Sequence, residues 1–148
     1  MREQKHLDAQ LLKPTQQISC PLQVDQVEFP LLVHVDPTGK ALQIMMVIPC
    51  TMRPKAPIEM ARLLHLFNRE IDMPGFGMDE RSGLVFYRYL FPTHNGQLAA
   101  EVFDNVLNSL PLIARAFAPF ILDVANGAYF EAIHSDVTAL FQKMTQGE

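Results

Sequence analysis

The residues of this sequence that could bind a metal ion are scattered along the chain. The five histidines lie at positions 6, 34, 65, 94 and 134, and no two of them have the i, i+4 spacing that places side chains on one helix face. Two pairs, His34 with Asp36 and His134 with Asp136, are close in sequence, but such pairs are common on solvated surfaces. A zinc site needs three or four converging ligands. We therefore expect no metal site and no cofactor.

Activated nucleophiles and phosphate-binding loops are not evident in the local sequence either. Cys20 and Cys50 each adjoin a proline, and neither has a nearby histidine to activate its thiol. The glycines at 75 and 77 follow a predicted helix, whereas a phosphate loop precedes one, because the helix N-terminus supplies the donors. Asp79 and Glu80 lie in a predicted turn that faces water, where carboxyl groups are not tuned for catalysis. We expect no catalytic residues and a protein that is not an enzyme.

The composition indicates a single folded domain over residues 1–148. Hydrophobic residues make up 49% of the chain and charged residues 19%, which excludes a disordered protein. The net charge of −4 disfavours nucleic acid as a partner. Gln43, Arg115 and Asp123 interrupt the apolar stretches before the ~20 residues that a membrane span needs. The first residues lack the apolar segment of a signal peptide, so we expect a cytoplasmic protein with reduced cysteines.

The first half of the chain favours strands. Residues 1–16 are expected to form an N-terminal arm or a short helix, and residues 17–29 an edge strand or an extended arm. Two antiparallel hairpins are predicted at residues 31–48 and 75–91, because β-rich runs flank polar turn sequences that end in glycine.

Helices are predicted between and after these hairpins. An apolar stripe at helical spacing begins near Pro57 and ends at Ile71. Apolar residues recur at steps of three or four from residue 97 to 125, although two prolines lie inside this span, which predicts kinked helical pieces. A C-terminal helix is expected over residues 128–146. The sequence thus predicts an α+β fold, with a mainly antiparallel sheet of about five strands and helices packed on it.

The strand predicted at residues 84–91 is apolar on both faces. Side chains alternate along a strand, so one face carries Leu84, Phe86, Arg88 and Leu90, and the other carries Val85, Tyr87, Tyr89 and Phe91. A half-buried sheet usually has one polar face, so the second apolar face needs a cover. The helices after residue 97, a second subunit or an extended client segment could provide it. We select the more aromatic face as the partner-binding site, with Val85, Tyr87, Tyr89 and Phe91 as its contact residues.

Residues 58–126 resemble the YbjN-like, type III secretion chaperone-like group. The resemblance lies in Met60-Ala-Arg-Leu-Leu-His-Leu-Phe-Asn-Arg-Glu, Phe76-Gly-Met-Asp, Gly83-Leu-Val-Phe-Tyr-Arg-Tyr-Leu-Phe and Phe103-Asp-Asn-Val-Leu-Asn-Ser-Leu-Pro-Leu-Ile-Ala. It implies an α+β domain with a five-stranded sheet. It also implies a small, acidic, cytoplasmic homodimer that holds the N-terminal segment of a client effector in an extended state.

Two functions from different classes follow from these observations. The first is a non-enzymatic protein-binding module, similar to a secretion chaperone, that binds a protein client or a second subunit. The alternative is a small-ligand-binding protein or an enzyme with a pocket between sheet and helices. That alternative requires polar groups such as His65, Arg69, Arg88 and His94 to converge on one cavity.

Overall fold

In the part of the chain that the structure describes, six strands form one antiparallel sheet, and three helices pack on one side of it. The computed structural model describes residues 9–12, 17–94 and 97–147, and for residues 10–12 it describes the backbone alone. The strands are β1 (Gln10–Leu12), β2 (Gln17–Val24), β3 (Val27–Val35), β4 (Ala41–Ile48), β5 (Phe76–Asp79) and β6 (Leu84–Pro92). The helices are α1 (Ala56–Glu70), α2 (Ala100–Ala125) and α3 (Phe130–Thr145).

The strand order across the sheet is β1-β2-β3-β4-β6-β5, and every neighbouring pair is antiparallel. Each neighbouring pair except β4 and β6 is also consecutive in the chain. The connection from β4 to β5 is longer because it contains α1, and it places β5 outside β6. The predicted α+β class and the mainly antiparallel sheet are therefore confirmed, with six strands in place of about five.

At residues 10–12 the structure decides between the two alternatives predicted for residues 1–16, an arm and a short helix. Residues 10–12 form the edge strand β1, which pairs with residues 17–19 of β2, so no helix is present at these positions. The leucines at 11 and 12 suggested a helical pattern, but strand pairing supplies backbone partners that a short isolated helix could not retain. The remainder of the predicted arm or helix, residues 1–8 and 13–16, lies outside the described residues.

The β2–β3 hairpin corrects the prediction of a single edge strand or arm at residues 17–29. The chain reverses at Asp25 and Gln26, between the paired residues Val24 and Val27. Asp25 has a φ of 50°, a left-handed conformation that aspartate tolerates better than most residues. Since this turn contains no glycine or proline, its sequence signal is weak.

Two prolines mark where this hairpin extends past its neighbours. Pro21 and Pro30 face each other in the register. Pairing of β2 with β1 ends at Ser19, and pairing of β3 with β4 begins at Leu31. Because proline has no N–H to donate, it is tolerated where a ladder of hydrogen bonds ends. The tip of the hairpin therefore forms a two-stranded extension of the sheet.

The three helices match their apolar patterns. Pro57 lies in the first turn of α1, where its fixed φ suits a helix start. α2 contains Pro111 and Pro119 but is one helix of 26 residues. The preserved spacing of its apolar residues therefore predicted the extent of this helix better than the two prolines did. By length and composition α2 could cross a membrane. In this structure, however, it packs against β2 and β4 of the sheet.

An aromatic cluster joins the helices to the sheet. The ring of Phe67 on α1 lies 5.3 Å from that of Phe76 on β5 and 4.7 Å from that of Phe117 on α2. Phe76 also contacts Tyr87 of β6, with 5.1 Å between ring centroids. Rings at these separations contribute packing energy beyond the area they bury. The cluster thus fixes α1 and α2 over the β5–β6 end of the sheet.

Asn68 of α1 holds the start of β5 by three hydrogen bonds. Its Nδ2 donates to the carbonyl oxygen of Phe76 at 2.9 Å. Its Oδ1 accepts from the backbone N–H groups of Gly75 at 3.1 Å and Phe76 at 2.9 Å. These bonds satisfy backbone groups that would otherwise lie half-buried without partners. Asn68 therefore positions β5, the edge strand that pairs with β6.

Substitution of Asn68 by alanine should lower the stability of the fold. Loss of three hydrogen bonds should cost about 2–3 kcal/mol in the free energy of unfolding, which urea denaturation measures. Asn108→Ala, at an exposed position of α2, is the matched control and should change the stability by less than ~0.5 kcal/mol. Equal losses in the two variants would show that Asn68 does not hold β5 in this way.

Candidate functional site

The helices cover the face of β6 that the sequence suggested as a partner-binding site. Val85 and Tyr87 are 0% exposed and Phe91 is 1% exposed, and all three belong to the hydrophobic core. Tyr89 is half-buried, and its ring packs on that of Phe91 at 4.6 Å. The expectation that these four residues form an accessible contact surface is therefore corrected. The helical layer of the same chain provides their cover.

The hydroxyl group of Tyr87 finds a partner inside the core. It donates a hydrogen bond of 3.0 Å to the backbone carbonyl oxygen of Met73, in the loop after α1. Burial, with a smaller contribution from nearby Tyr89, raises the pKa of Tyr87 to about 12. Tyr87 is thus a core residue whose polar end is satisfied in the neutral state.

The opposite surface of the sheet is uncovered by any helix in the described residues, and we call it the open face. Successive side chains of a strand point to opposite sides, so the residues between the core positions lie here. The open face consists of Leu32 of β3, Met45 and Val47 of β4, and Leu84, Phe86, Arg88 and Leu90 of β6.

The apolar side chains of the open face do not belong to the core. Leu90 is 58% exposed and Leu84 is 37% exposed. Leu32, Met45, Val47 and Phe86 are half-buried, and they are absent from the hydrophobic cluster under the helices and from its partly buried margin. These residues shield one another in part within the sheet. The prediction that the sheet is apolar on both faces is confirmed, and the uncovered face is the less aromatic one.

Phe86 and Arg88 make specific contacts on the open face. The ring of Phe86 lies over Gly77 of β5, because a Cβ atom at Gly77 would be 2.7 Å from Cζ of that ring. The guanidinium carbon of Arg88 is 5.8 Å from the centre of the same ring, within cation–π distance. The backbone N–H of Arg88 donates to the carbonyl oxygen of Gly75 at 2.9 Å. An aromatic ring and a cation thus lie side by side on an apolar surface.

A polar row borders the open face at one end. Gln17, His34 and Gln43 occupy adjacent positions across β2, β3 and β4. Nδ1 of His34 is buried and has no hydrogen-bond partner among the described residues. An apolar centre with a polar border is the usual arrangement of a protein–protein interface.

The sequence contained a signal that distinguishes the two faces of β6. Arg88 interrupts the face that includes Leu84, Phe86 and Leu90, whereas the other face has no charged residue. Arginine is almost never fully buried without a charged partner, so the face that contains it is the one to expect in contact with solvent. The aromatic content of the other face indicated its burial in the core.

The residues required by the alternative, a pocket between sheet and helices, do not converge. Arg88 lies on the open face, His65 is on the exposed side of α1, and His94 is exposed beyond β6. Arg69 lines an open groove of about 430 Å³ between α1 and α3, together with His134. Arg69 is already paired with its neighbour Glu70 at 2.9 Å. His65 and Arg69 thus share the exposed side of α1, one turn apart, whereas Arg88 and His94 lie elsewhere, so the four side chains do not line one cavity.

The cysteines are not activated as nucleophiles. Both are free thiols, with Cys20 in the core and Cys50 half-buried at its margin. Burial raises the pKa of each thiol. A nucleophilic cysteine requires the opposite shift, because the thiolate is the reactive form.

Within the described part of the chain, no group of three histidine, cysteine, aspartate or glutamate residues is placed to hold a metal ion.

The architecture defines an α+β protein whose antiparallel sheet is covered by helices on one side. A family model described as "YbjN: Putative bacterial sensory transduction regulator" matches residues 6–123. The chain therefore belongs to the YbjN family, as its sequence resemblance predicted.

Two further comparisons give the following results. A chain of a solved structure, "Structure of the HopA1-SchA Chaperone-Effector Complex", is 21% identical to this one, with a TM-score of 0.48. The match covers 68% of this chain and 75% of that chain. No curated protein matches the sequence.

Removal of the buried hydroxyl group should change how stability depends on pH. The pKa of Tyr87 is raised from 10 to about 12 on folding, so its contribution is complete below pH 10 and is lost as the pH rises towards 12. Tyr87→Phe should be about 1 kcal/mol less stable than the wild type at pH 8, through loss of the hydrogen bond to Met73. The difference should shrink above pH 10 and change sign before pH 12, because the rise in pKa from 10 to about 12 corresponds to ~2.7 kcal/mol, more than the hydrogen bond contributes.

Urea unfolding at a series of pH values measures this difference. Tyr129→Phe removes a hydroxyl group from a side chain that is 70% exposed, and it is the matched control. Its stability should follow that of the wild type at every pH. A Tyr87→Phe difference that stays constant up to pH 12 would contradict the assigned role of the hydroxyl group.

Proposed function

We propose that this protein is a non-enzymatic protein-binding module and that its open face binds an extended segment of a partner polypeptide. The observation that carries the proposal is the uncovered apolar sheet, which includes Phe86 and the 58% exposed Leu90. Contiguous apolar patches of this kind on a monomer usually mark interaction sites. The scattered polar side chains and the unactivated thiols support binding in preference to catalysis.

The composition of the open face supports a protein partner. Aromatic residues, methionine and arginine are enriched at the centres of protein interfaces, while lysine and acidic residues are depleted. The open face has Phe86, Met45 and Arg88 at its centre, next to Leu32 and Val47. The flexible thioether of Met45 suits a surface that must accept varied apolar side chains.

The dimensions of the open face favour a segment of chain over a large permanent interface. The three strands of the open face, β3, β4 and β6, at ~4.8 Å spacing and about 28 Å in length give a flat area of roughly 400 Å². Covering it would bury about 800 Å² on the two partners together, whereas obligate homodimers bury ~2,000 Å² or more. An extended segment of some eight to ten residues matches the length of these strands, at ~3.3 Å per residue.

The role we propose is similar to that of a secretion chaperone, which holds a client segment in an extended state. A second copy of this chain is the other polypeptide that could occupy the open face, and it would give a homodimer. We place the protein in the cytoplasm, a compartment that suits the two free thiols. Membership of a family described as sensory transduction regulators fits a protein that acts through contacts with other proteins.

Photo-cross-linking in cells of its own organism tests the proposal. A p-benzoylphenylalanine in place of Leu90 should form adducts with a partner polypeptide. The same group in place of Leu112, which is 64% exposed on α2, should form few. Phe86→Asp, combined with p-benzoylphenylalanine at position 90, should reduce the adducts at least tenfold because it places a charge in the apolar centre of the open face. Val102→Asp on α2 should leave them unchanged.

The mass of the adduct identifies the occupant. An adduct of this chain with a different polypeptide supports the client role, and one of twice the chain mass assigns the open face to a homodimer. Equal cross-linking from positions 90 and 112 would contradict the proposal. Circular dichroism of each variant establishes that the fold is retained. As a reference for misfolding, Tyr87→Asp should unfold the chain, since it buries a carboxylate in the core.

A further inference from the structure

Arg88 is a charged residue near the centre of an otherwise apolar surface. Met45 is its cross-strand neighbour on β4, and Leu32 follows in the same row on β3. Phe86 and Leu90 precede and follow it on the same side of β6. On the β5 side, Gly75 and Gly77 present no side chain to it.

The guanidinium group of Arg88 has no acidic partner within the described part of the chain. The described salt bridges and side-chain hydrogen bonds involve the arginines at 62, 69 and 115, and not Arg88. Two acidic residues of the strands, Asp79 and Glu28, lie on this side of the sheet. Asp79 is paired with Leu84, four residues along β6 and so about 13 Å away at ~3.3 Å per residue. It also accepts a hydrogen bond from the N–H of Arg81 in its own turn.

Glu28 is farther from Arg88 than a direct contact allows. It lies on β3, two strands from β6, and beyond Leu31, where pairing with β4 begins. Two strand spacings already amount to ~9.6 Å. Within residues 9–12, 17–94 and 97–147, Arg88 is therefore free to bind an external carboxylate.

A partner that covers the open face must take water away from this cation. Burial of an unpaired charge is costly, whereas an arginine–carboxylate pair is charge-assisted and often bidentate. The cation–π contact of Arg88 with the ring of Phe86 favours a position of the guanidinium group beside that ring. An apolar segment that also presents one carboxylate would satisfy both the open face and its cation. A wholly apolar segment would not.

We propose that Arg88 is a specificity-determining residue that selects partner segments with an aspartate or glutamate between apolar side chains. This inference rests on the proposed function of the open face. The net charge of −4 does not prevent it, because charges more than ~8 Å apart are largely screened at physiological ionic strength. The preference is therefore local to Arg88 and its immediate apolar neighbours.

Selection from a phage-displayed library of random twelve-residue peptides tests the inference. The purified full chain, its Arg88→Glu variant and its Arg81→Glu variant serve as baits in parallel. Arg81 is exposed in the turn before β6, so both variants have the same change in net charge but only one alters the open face. Thermal unfolding of each bait checks that it is folded.

The wild type and Arg81→Glu should enrich peptides with one acidic residue flanked by apolar residues. Arg88→Glu should enrich lysine or arginine at that place. For a synthetic peptide of the wild-type consensus, fluorescence anisotropy should show at least a tenfold weaker Kd with Arg88→Glu and less than a twofold change with Arg81→Glu.

Two results would overturn the inference while leaving the proposed function intact. One is the enrichment of apolar peptides without an acidic residue by all three baits. The other is the persistence of the acidic consensus with Arg88→Glu. If no bait enriches apolar peptides at all, the open face does not bind extended segments, and the proposed function fails together with the inference.

Discussion

One constraint governs this structure: the three helices can cover only one side of a sheet that has apolar side chains on both. Burial of Val85, Tyr87 and Phe91 under α1 and α2 supplies the core that holds the fold together. The alternation that directs these residues inward directs Phe86 and Leu90 outward. The open face is therefore a direct consequence of how the core is formed, and its exposure is the basis of the binding function that we propose.

The end of the sheet that includes β5 and β6 is positioned by contacts from α1. Phe67 stacks against Phe76, and Asn68 holds the backbone at the start of β5 through three hydrogen bonds. The short strand β5 then lies beside β6, where Gly77 leaves room for the ring of Phe86 on the other side. Packing under the helices thus determines where an aromatic ring and a neighbouring cation are presented on the open face.

Prediction from sequence succeeded where local chemistry and periodicity agree. Both hairpins at 31–48 and 75–91 are present, as are all three helices with their apolar stripes. Of the two alternatives for the N-terminal segment, the helix is excluded at residues 10–12, which are a strand, because three residues show no reliable period and the pairing partner decides. The turn at Asp25 was also missed. It has no glycine to mark it, and only the pairing of β2 with β3 defines it.

The sequence by itself determined most of the element types, the α+β class, the family and the fact that β6 is apolar on both sides. These properties depend on residue type and spacing, which are local. Tertiary structure decided which side of β6 the helices cover, a choice for which the sequence held one signal, the charge of Arg88. That choice requires the relative placement of α1, α2 and the sheet, which are far apart in sequence, and the more aromatic side became the core because it buries more apolar area. The cation at Arg88 consequently remained in contact with water.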